Sequence, residues 1–161
     1  MRTELRALII SLSLLTSASG GALAAGDPGG SSREVRDPVM ERYNAAVERK
    51  DWAAAQAAMQ DGLRASPDNA DYHNLLAYSI RKGPNPDMSL VFKHYNEALR
   101  IDPKHKGAHE YLGEAYLMVG NLAKAKEELA QLDKLCFFGC TEFSMLKKAI
   151  AEHEAKVSSK Q

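Results

Sequence analysis

Residues 102–135 contain two short amphipathic segments separated by a Gly-Asn turn, and this pattern constrains the fold more than any other. The apolar residues of the first segment are spaced as on one face of a helix: Ala108, Leu112, Ala115, Tyr116 and Val119. Those of the second segment are spaced in the same way: Leu122, Ala125, Leu129 and Leu132. Two such helices form an αα-hairpin, whose paired apolar faces need a neighbouring unit to cover them. The sequence therefore predicts a stack of hairpins.

The same pattern recurs earlier in the chain. Pro67 and Pro103 each follow a helical segment and lie 36 positions apart, and a third segment ends at the break near Phe137. Each segment carries a small apolar residue and, four positions later, a larger one: Ala55 and Met59, Val91 and Tyr95, Ala125 and Leu129. A small residue lets two helices approach closely, and a larger one fills the space between units. We therefore expect three copies of the hairpin.

This pattern resembles the tetratricopeptide repeat, a helix-turn-helix unit of about 34 residues. The third unit is the most similar, with Leu112-Gly113, Tyr116, Gly120-Asn121, Ala125 and Leu129 in the family's spacing. The second has Leu76-Ala77 in the Leu-Gly place and two extra residues, assigned to the turn 83–86, and in the first Tyr43 replaces a small residue. The resemblance implies an all-α, right-handed α-solenoid of three units (37–69, 70–105 and 106–135). A Cys-containing turn (136–140) and a C-terminal capping helix (141–157) follow, as solenoids require a terminal helix with a polar outer face.

The first 24 residues have the pattern of a signal peptide. Arg2 and Arg6 flank the start of a short apolar run, ALIISLSLL, and Ala22-Leu23-Ala24 offers a cleavage site. Because nine apolar residues are too few to cross the hydrocarbon core as a helix, we expect cleavage, export to the periplasm or the exterior, and no stable membrane insertion afterwards. The alternative is a disordered cytoplasmic leader. The Gly/Ser/Pro-rich stretch 25–36 is expected to be a flexible linker.

Charge and motifs exclude several functions. Lys+Arg and Asp+Glu both number 21, so the net charge is zero and no strong field attracts nucleic acid or anionic lipid to the chain as a whole. The chain has no phosphate-binding glycine loop, no G-x-S-x-G and no arrangement of base beside nucleophile. We therefore expect neither an enzyme nor a cofactor, and no nucleic-acid partner.

Cys136 and Cys140 are the only cysteines, and three interpretations remain open. In an exported protein they are expected to form a structural disulfide, which Gly139 would help to close. A redox-active pair is less well supported, because C-x-x-x-C is not the C-x-x-C of thioredoxin-like proteins. A copper or zinc site would need a further ligand, for which His153 and Met145 are the nearest candidates.

His105 and His109 are four positions apart, a spacing that can bind a metal on one helix face. His73 and His109, however, are 36 apart, which places them at equivalent positions of two repeats. We therefore interpret His109 as a partly buried ring of the repeat and not as a metal ligand. His105 is predicted to lie in the first turn of its helix, after Asp102-Pro103.

The resemblance also implies a concave groove, lined by the first helix of each unit, that holds a peptide or a partner protein. The family's groove positions correspond here to Asp37, Met40, Asn44, Val47, Asp71, Asn74, Tyr78, Arg81, Glu110, Glu114 and Leu117. Glu110 and Glu114 favour a neutral or basic ligand. The alternative is that these residues form solvated helix faces. The function expected is an exported adaptor for a protein or peptide; the competing hypothesis is a periplasmic redox or copper-handling protein that uses Cys136 and Cys140.

Overall fold

The computed structural model describes residues 37–159, so the predicted signal peptide (1–24) and linker (25–36) lie outside the described residues. The described chain forms α-helices and no strand, which confirms the all-α prediction. The helices are α1 (Pro38–Glu48), α2 (Trp52–Ala65), α3 (Ala70–Lys82), α4 (Met88–Ile101), α5 (Lys106–Met118), α6 (Leu122–Leu135) and α7 (Thr141–Ser158). Within residues 37–159, no helix is both long enough and apolar enough to cross a membrane.

Local sequence determines where the helices begin. At each N-cap a side chain accepts a backbone N–H from the first turn, and most of these caps are Asp or Asn: Asp37, Asp51, Asn69, Asp87 and Asn121. The prediction that His105 lies inside its helix was wrong by one position. His105 is itself the N-cap of α5, because its Nδ1 accepts the N–H of Ala108 at 3.1 Å.

The connections between helices explain the irregular second repeat. Residues 49–51 join α1 to α2 and residues 119–121 join α5 to α6, whereas the longer stretch 83–87 joins α3 to α4. The two extra residues of the second unit therefore lie in this turn, as predicted from the sequence. The helices on either side keep the same pairing as in the third unit.

The helices stack in chain order. Each packs against the next, and in addition α3 contacts α5 and α5 contacts α7. The predicted small residues Ala55, Val91 and Ala125 are fully buried, as are the larger Met59 and Tyr95. Leu129 is only partly buried, although it packs against the second of two apolar clusters, which joins α5, α6 and α7. The pattern thus predicted the core of the stack correctly, except near its end.

Helix α7 packs against both α5 and α6, in the way that α5 packs against α3 and α4. The closest approach is at Gly113, where an added Cβ would lie 2.5 Å from Cδ2 of Leu146. A side chain at position 113 would therefore displace Leu146. Val119 was expected on the buried face, but it is 49% exposed because it is the C-cap residue after the last turn of α5.

Candidate functional site: a groove on helices α3, α5 and α7

A shallow cavity of about 330 Å³ lies between the C-terminal half of α5 and α7, next to the end of α3. We call this surface, together with the tyrosines and carboxylates beside it, the groove. The residues that line the cavity are Arg81, Glu114, Leu117, Met118, Ala149, Glu152, His153 and Lys156. Both apolar and charged side chains are therefore available to a ligand here.

Arg81 connects the helices at the centre of the groove. Its guanidinium forms an ion pair with Glu114 at 2.8 Å, and its Nε donates a hydrogen bond to the hydroxyl of Tyr95 at 3.2 Å. The ion pair is almost fully buried on the Arg81 side. Because removing one partner of a buried pair leaves an uncompensated charge, Arg81 holds α3, α4 and α5 in a fixed arrangement.

Aromatic rings stand beside Arg81. The guanidinium carbon lies 5.5 Å from the ring centre of Tyr78 and 5.6 Å from that of Tyr111, within the range of cation–π attraction. The two tyrosine rings are 4.9 Å apart, and Trp52 packs edge-on against Tyr78. Tyr78 and Tyr111 are only partly buried. They provide a rigid aromatic wall of the kind that anchors polypeptide ligands.

Glu110 is the most unusual ionisable group of the groove. It is 3% exposed, and its Oε1 is buried without a hydrogen-bond partner among the described residues. Burial, together with the nearby charges of Glu114 and Glu142, raises the pKa of Glu110 to about 7, although Arg81 acts in the opposite direction. Two further carboxyl groups and one guanidinium thus act on Glu110, whose Oε1 lacks a donor among the described residues.

Asn74 occupies the position equivalent to Glu110 in the second repeat, 36 residues earlier. It is 4% exposed, and its Oδ1 likewise has no hydrogen-bond partner among the described residues. Its amide nitrogen lies near Gly107, where an added Cβ would be 3.4 Å from Nδ2. The same place in two successive repeats therefore holds a buried oxygen acceptor that no other residue of the described range satisfies.

The structure brings together only part of the set predicted from the sequence. Tyr78, Arg81, Glu110 and Glu114 lie in or beside the groove. Met40 instead packs against the apolar core, and Asn44 is exposed on α1. The Asp71 carboxylate is exposed and accepts a hydrogen bond from Nε2 of His105 at 3.0 Å, which joins the starts of α3 and α5.

Sequence reasoning missed the contribution of α7 and of Tyr111. From the sequence, α7 was interpreted only as a capping helix. Four of its residues nevertheless form one side of the cavity: Ala149, Glu152, His153 and Lys156. Its apolar stripe was the available signal, because Leu146 and Ile150 are buried and so determine which residues of α7 face the groove. Tyr111 carried no signal of its own beyond its place next to Glu110.

The histidines and cysteines form no metal centre in the described part of the chain, where no three His, Cys, Asp or Glu side chains converge suitably. His73 and His109 each bond through Nε2 to the carbonyl of the proline six residues earlier, Pro67 or Pro103, which confirms their repeat equivalence.

Cys136 and Cys140 are joined as a disulfide, with their Cα atoms 5.5 Å apart. Met145 lines a surface cavity together with Cys140, but His153 lines the groove cavity instead.

The fold is an array of stacked helical hairpins, and the groove lies open on its surface. Comparison with known proteins supports this description of the fold. A family model of the tetratricopeptide repeat matches residues 94–127. A search of curated proteins found no match. Residues 94–127 are therefore similar to a tetratricopeptide repeat, and the chain shares the fold of solved tetratricopeptide-repeat domains.

Several solved structures have a similar fold at low sequence identity. The TPR domain of Arabidopsis OM64 is 19% identical, with 71% of this chain and 93% of that one covered and a TM-score of 0.62. The first TPR of Spaghetti (RPAP3), bound to the HSP90 peptide SRMEEVD, is 18% identical, with 73% and 93% covered and a TM-score of 0.60. The TPR2B domain of yeast Sti1, in a complex with pHsp70, is 18% identical, with 76% and 95% covered and a TM-score of 0.62.

Proposed function

We propose that this protein is an adaptor that binds a polypeptide segment in the groove on α3, α5 and α7. Two of the structurally similar domains were solved with partners: the HSP90 peptide SRMEEVD in one case and pHsp70 in the other. The groove here has features that suit a polypeptide ligand, namely an aromatic wall, an open cavity and oxygen acceptors that no other described residue satisfies. Because the unsatisfied oxygens of Asn74 and Glu110 are buried in the unliganded chain, we propose that they accept hydrogen bonds from the ligand after a side-chain rearrangement.

The observation that carries the choice of ligand is the Oε1 atom of Glu110, which has no hydrogen-bond partner among residues 37–159 and feels the charges of Glu114 and Glu142. Arg81 is already paired with Glu114, so it offers little charge to an acidic ligand. A lysine or arginine side chain would supply the missing donor and reduce the repulsion among the three carboxyl groups. We therefore infer that the ligand presents a basic residue at this point, in contrast to the Glu-Glu-Val-Asp end of the HSP90 peptide.

We also propose that the protein works after export, in the periplasm or outside the cell. The signal-peptide pattern of residues 1–24 supports this localisation. The disulfide between Cys136 and Cys140 supports it independently, because such bonds persist in oxidising compartments.

Selection of heptapeptides from a random phage-displayed library on the purified protein tests the proposed ligand. We expect enrichment of sequences with one Lys or Arg next to apolar residues. Affinity for a selected peptide, measured by fluorescence anisotropy, should fall about tenfold in Glu142→Gln, since an ion pair in a partly buried site is lost. Glu127→Gln is the matched control, because Glu127 is exposed and pairs with Lys124 away from the groove. Enrichment of acidic peptides, or equal affinities for the two variants, would contradict the proposal.

A further inference from the structure

The disulfide-closed turn after α6 carries two phenylalanines that the protein does not bury. Phe137 is 89% exposed and Phe138 is 97% exposed, and their rings meet edge to face with centres 5.2 Å apart. Scattered apolar residues are normal on a protein surface, but two adjacent and almost fully exposed aromatic rings indicate a contact with something apolar. We call residues 136–140 the phenylalanine tip.

The tip is held in shape by bonds to its own flanks. The disulfide joins its two ends, and the N–H of Gly139 donates to the carbonyl of Cys136 at 2.8 Å. Gly139 has a φ of +84°, a left-handed conformation that favours glycine. Because the loop is closed, the rings cannot fold back far along the chain, and little conformational freedom is left to lose when they bind.

Lysines and one further apolar side chain surround the tip. Lys148 and Met145, which is also exposed, line the surface cavity that reaches Cys140. Lys147 lies over the ring of Phe143, whose N–H is bonded to the Cys140 sulfur. Lys134 is exposed two residues before the disulfide, and Asp133 and Glu142 are the acidic residues within 133–148. Lys148 also forms a long, exposed ion pair with Glu152 at 3.9 Å. Although the whole chain is neutral, this end is therefore slightly cationic.

We propose that the phenylalanine tip inserts into the interface of a lipid bilayer containing anionic phospholipids, with Lys147 and Lys148 at the level of the phosphates. Aromatic rings that reach the acyl boundary while cationic side chains stay at the headgroups are the features of interfacial binding. A bilayer also needs no complementary shape. A second copy of the chain fits less well, because the area of two rings is far below that of a stable protein interface.

Vesicle sedimentation with the full chain tests this proposal. Binding to vesicles of three parts phosphatidylcholine and one part phosphatidylglycerol should exceed binding to phosphatidylcholine alone and should weaken with salt. The double variant Phe137→Ser/Phe138→Ser should bind at least about tenfold more weakly, because each buried ring contributes strongly to partitioning. The control Leu90→Ser/Val157→Ser removes two exposed apolar residues elsewhere and should bind like the wild type. All variants keep the apolar segment 7–15, so a difference between the double serine variant and the Leu90→Ser/Val157→Ser control reports on the tip.

A second measurement locates the tip directly and does not depend on a loss of binding. In the variant Trp52→Phe/Phe138→Trp the single tryptophan lies at the tip. We expect its emission to shift to the blue on vesicle addition and to be quenched by lipids brominated near the headgroup end of the acyl chain. Absence of quenching, or equal vesicle binding by the double serine variant and the wild type, would overturn the proposal. So would a tip that binds only an apolar pocket of another protein and no vesicle.

Discussion

His94 stacks on His73 with 3.0 Å between their Nδ1 atoms, at the place where the next repeat pairs His109 with Glu128. His73 in the second repeat and His109 in the third each donate a hydrogen bond from Nε2–H to a proline carbonyl. In the third repeat Nδ1–H of His109 donates to the carboxylate. In the second, Nδ1 of His73 accepts a hydrogen bond from Nδ1–H of His94. The third repeat therefore favours a charged His109, whereas the second favours a neutral His94.

This difference predicts how stability depends on pH. Burial and the neighbouring His73 lower the pKa of His94 to about 4. The neutral form is therefore favoured in the fold, and stability should fall as the pH drops below the ordinary histidine pKa towards 4, by about 1 kcal/mol at pH 5 because solvent around the partly exposed ring screens the effect. For His109, burial lowers the pKa but the bonds to Glu128 and Pro103 outweigh it, so the pKa is raised. Its contribution is full below pH 6.5 and is lost as the pH rises through the folded-state pKa.

The variant His94→Glu tests whether His94 causes the loss of stability at low pH. It should place a carboxylate beside His73, as Glu128 is placed beside His109, and so remove that loss of stability without changing His109. The measurement is the free energy of urea unfolding at pH 7.5 and pH 5, with His153→Gln as a control that should keep the wild-type difference. A wild-type-like loss in His94→Glu would show that the histidine stack is not its source.

Glu110→Gln should stabilise the protein at alkaline pH. Because burial raises the pKa of Glu110 to about 7, its carboxylate is disfavoured in the fold, and stability declines as the pH rises from the ordinary value through 7. The neutral amide avoids this loss, so the gain should reach up to about 3 kcal/mol at pH 8.5 and vanish near pH 4.5. Thermal unfolding at both pH values measures it. Glu127→Gln should show no such pH-dependent gain, and an equal effect in both variants would argue against burial as the cause.

Gly113→Ala should loosen α7. The new methyl group would meet Leu146 at 2.5 Å, and overpacking of this kind costs about 1–3 kcal/mol. The free energy of unfolding should fall, and amide exchange in α7 should accelerate. Gly107→Ala is the control, since its Cβ would have an ordinary contact at 3.4 Å. If Leu146 causes the clash, the shorter side chain of Leu146→Val should recover part of the loss in a double-mutant cycle.

Either Cys136→Ser or Cys140→Ser breaks the disulfide, but the two substitutions should lower the free energy of unfolding by different amounts. Closing so short a loop contributes about 2 kcal/mol at most, so Cys136→Ser should destabilise modestly. Cys140 is also the N-cap of α7, where its sulfur accepts the N–H of Phe143 at 3.4 Å. A serine hydroxyl is a better cap, so Cys140→Ser should be more stable than Cys136→Ser by about 0.5–1 kcal/mol. Urea titrations of the two variants decide this. Peptide binding should persist in both, and its loss would assign the disulfide to the binding site.

The sequence predicted those features that depend on local spacing. The burial of Ala55, Val91 and Ala125, the turn with two extra residues and the equivalence of His73 and His109 follow from a repeated pattern. The contribution of α7 to the groove could not be predicted from local spacing. It depends on the contact between Gly113 and Leu146, which are more than thirty residues apart in the sequence. Nor could spacing reveal that Asn74 and Glu110 are buried, since polar residues at the same register are usually solvated.

The length of α7 has a consequence for how a ligand would enter. With 18 residues against the 13 of α5, α7 is longer by about 8 Å at 1.5 Å per residue. Its last turns, which include Lys156 and the exposed Val157, belong to this extra length. The groove surface therefore continues along α7 beyond the length of α5. We expect a long ligand to contact Lys156 and Val157 as well, so the length of α7 affects how much of a ligand the protein can hold.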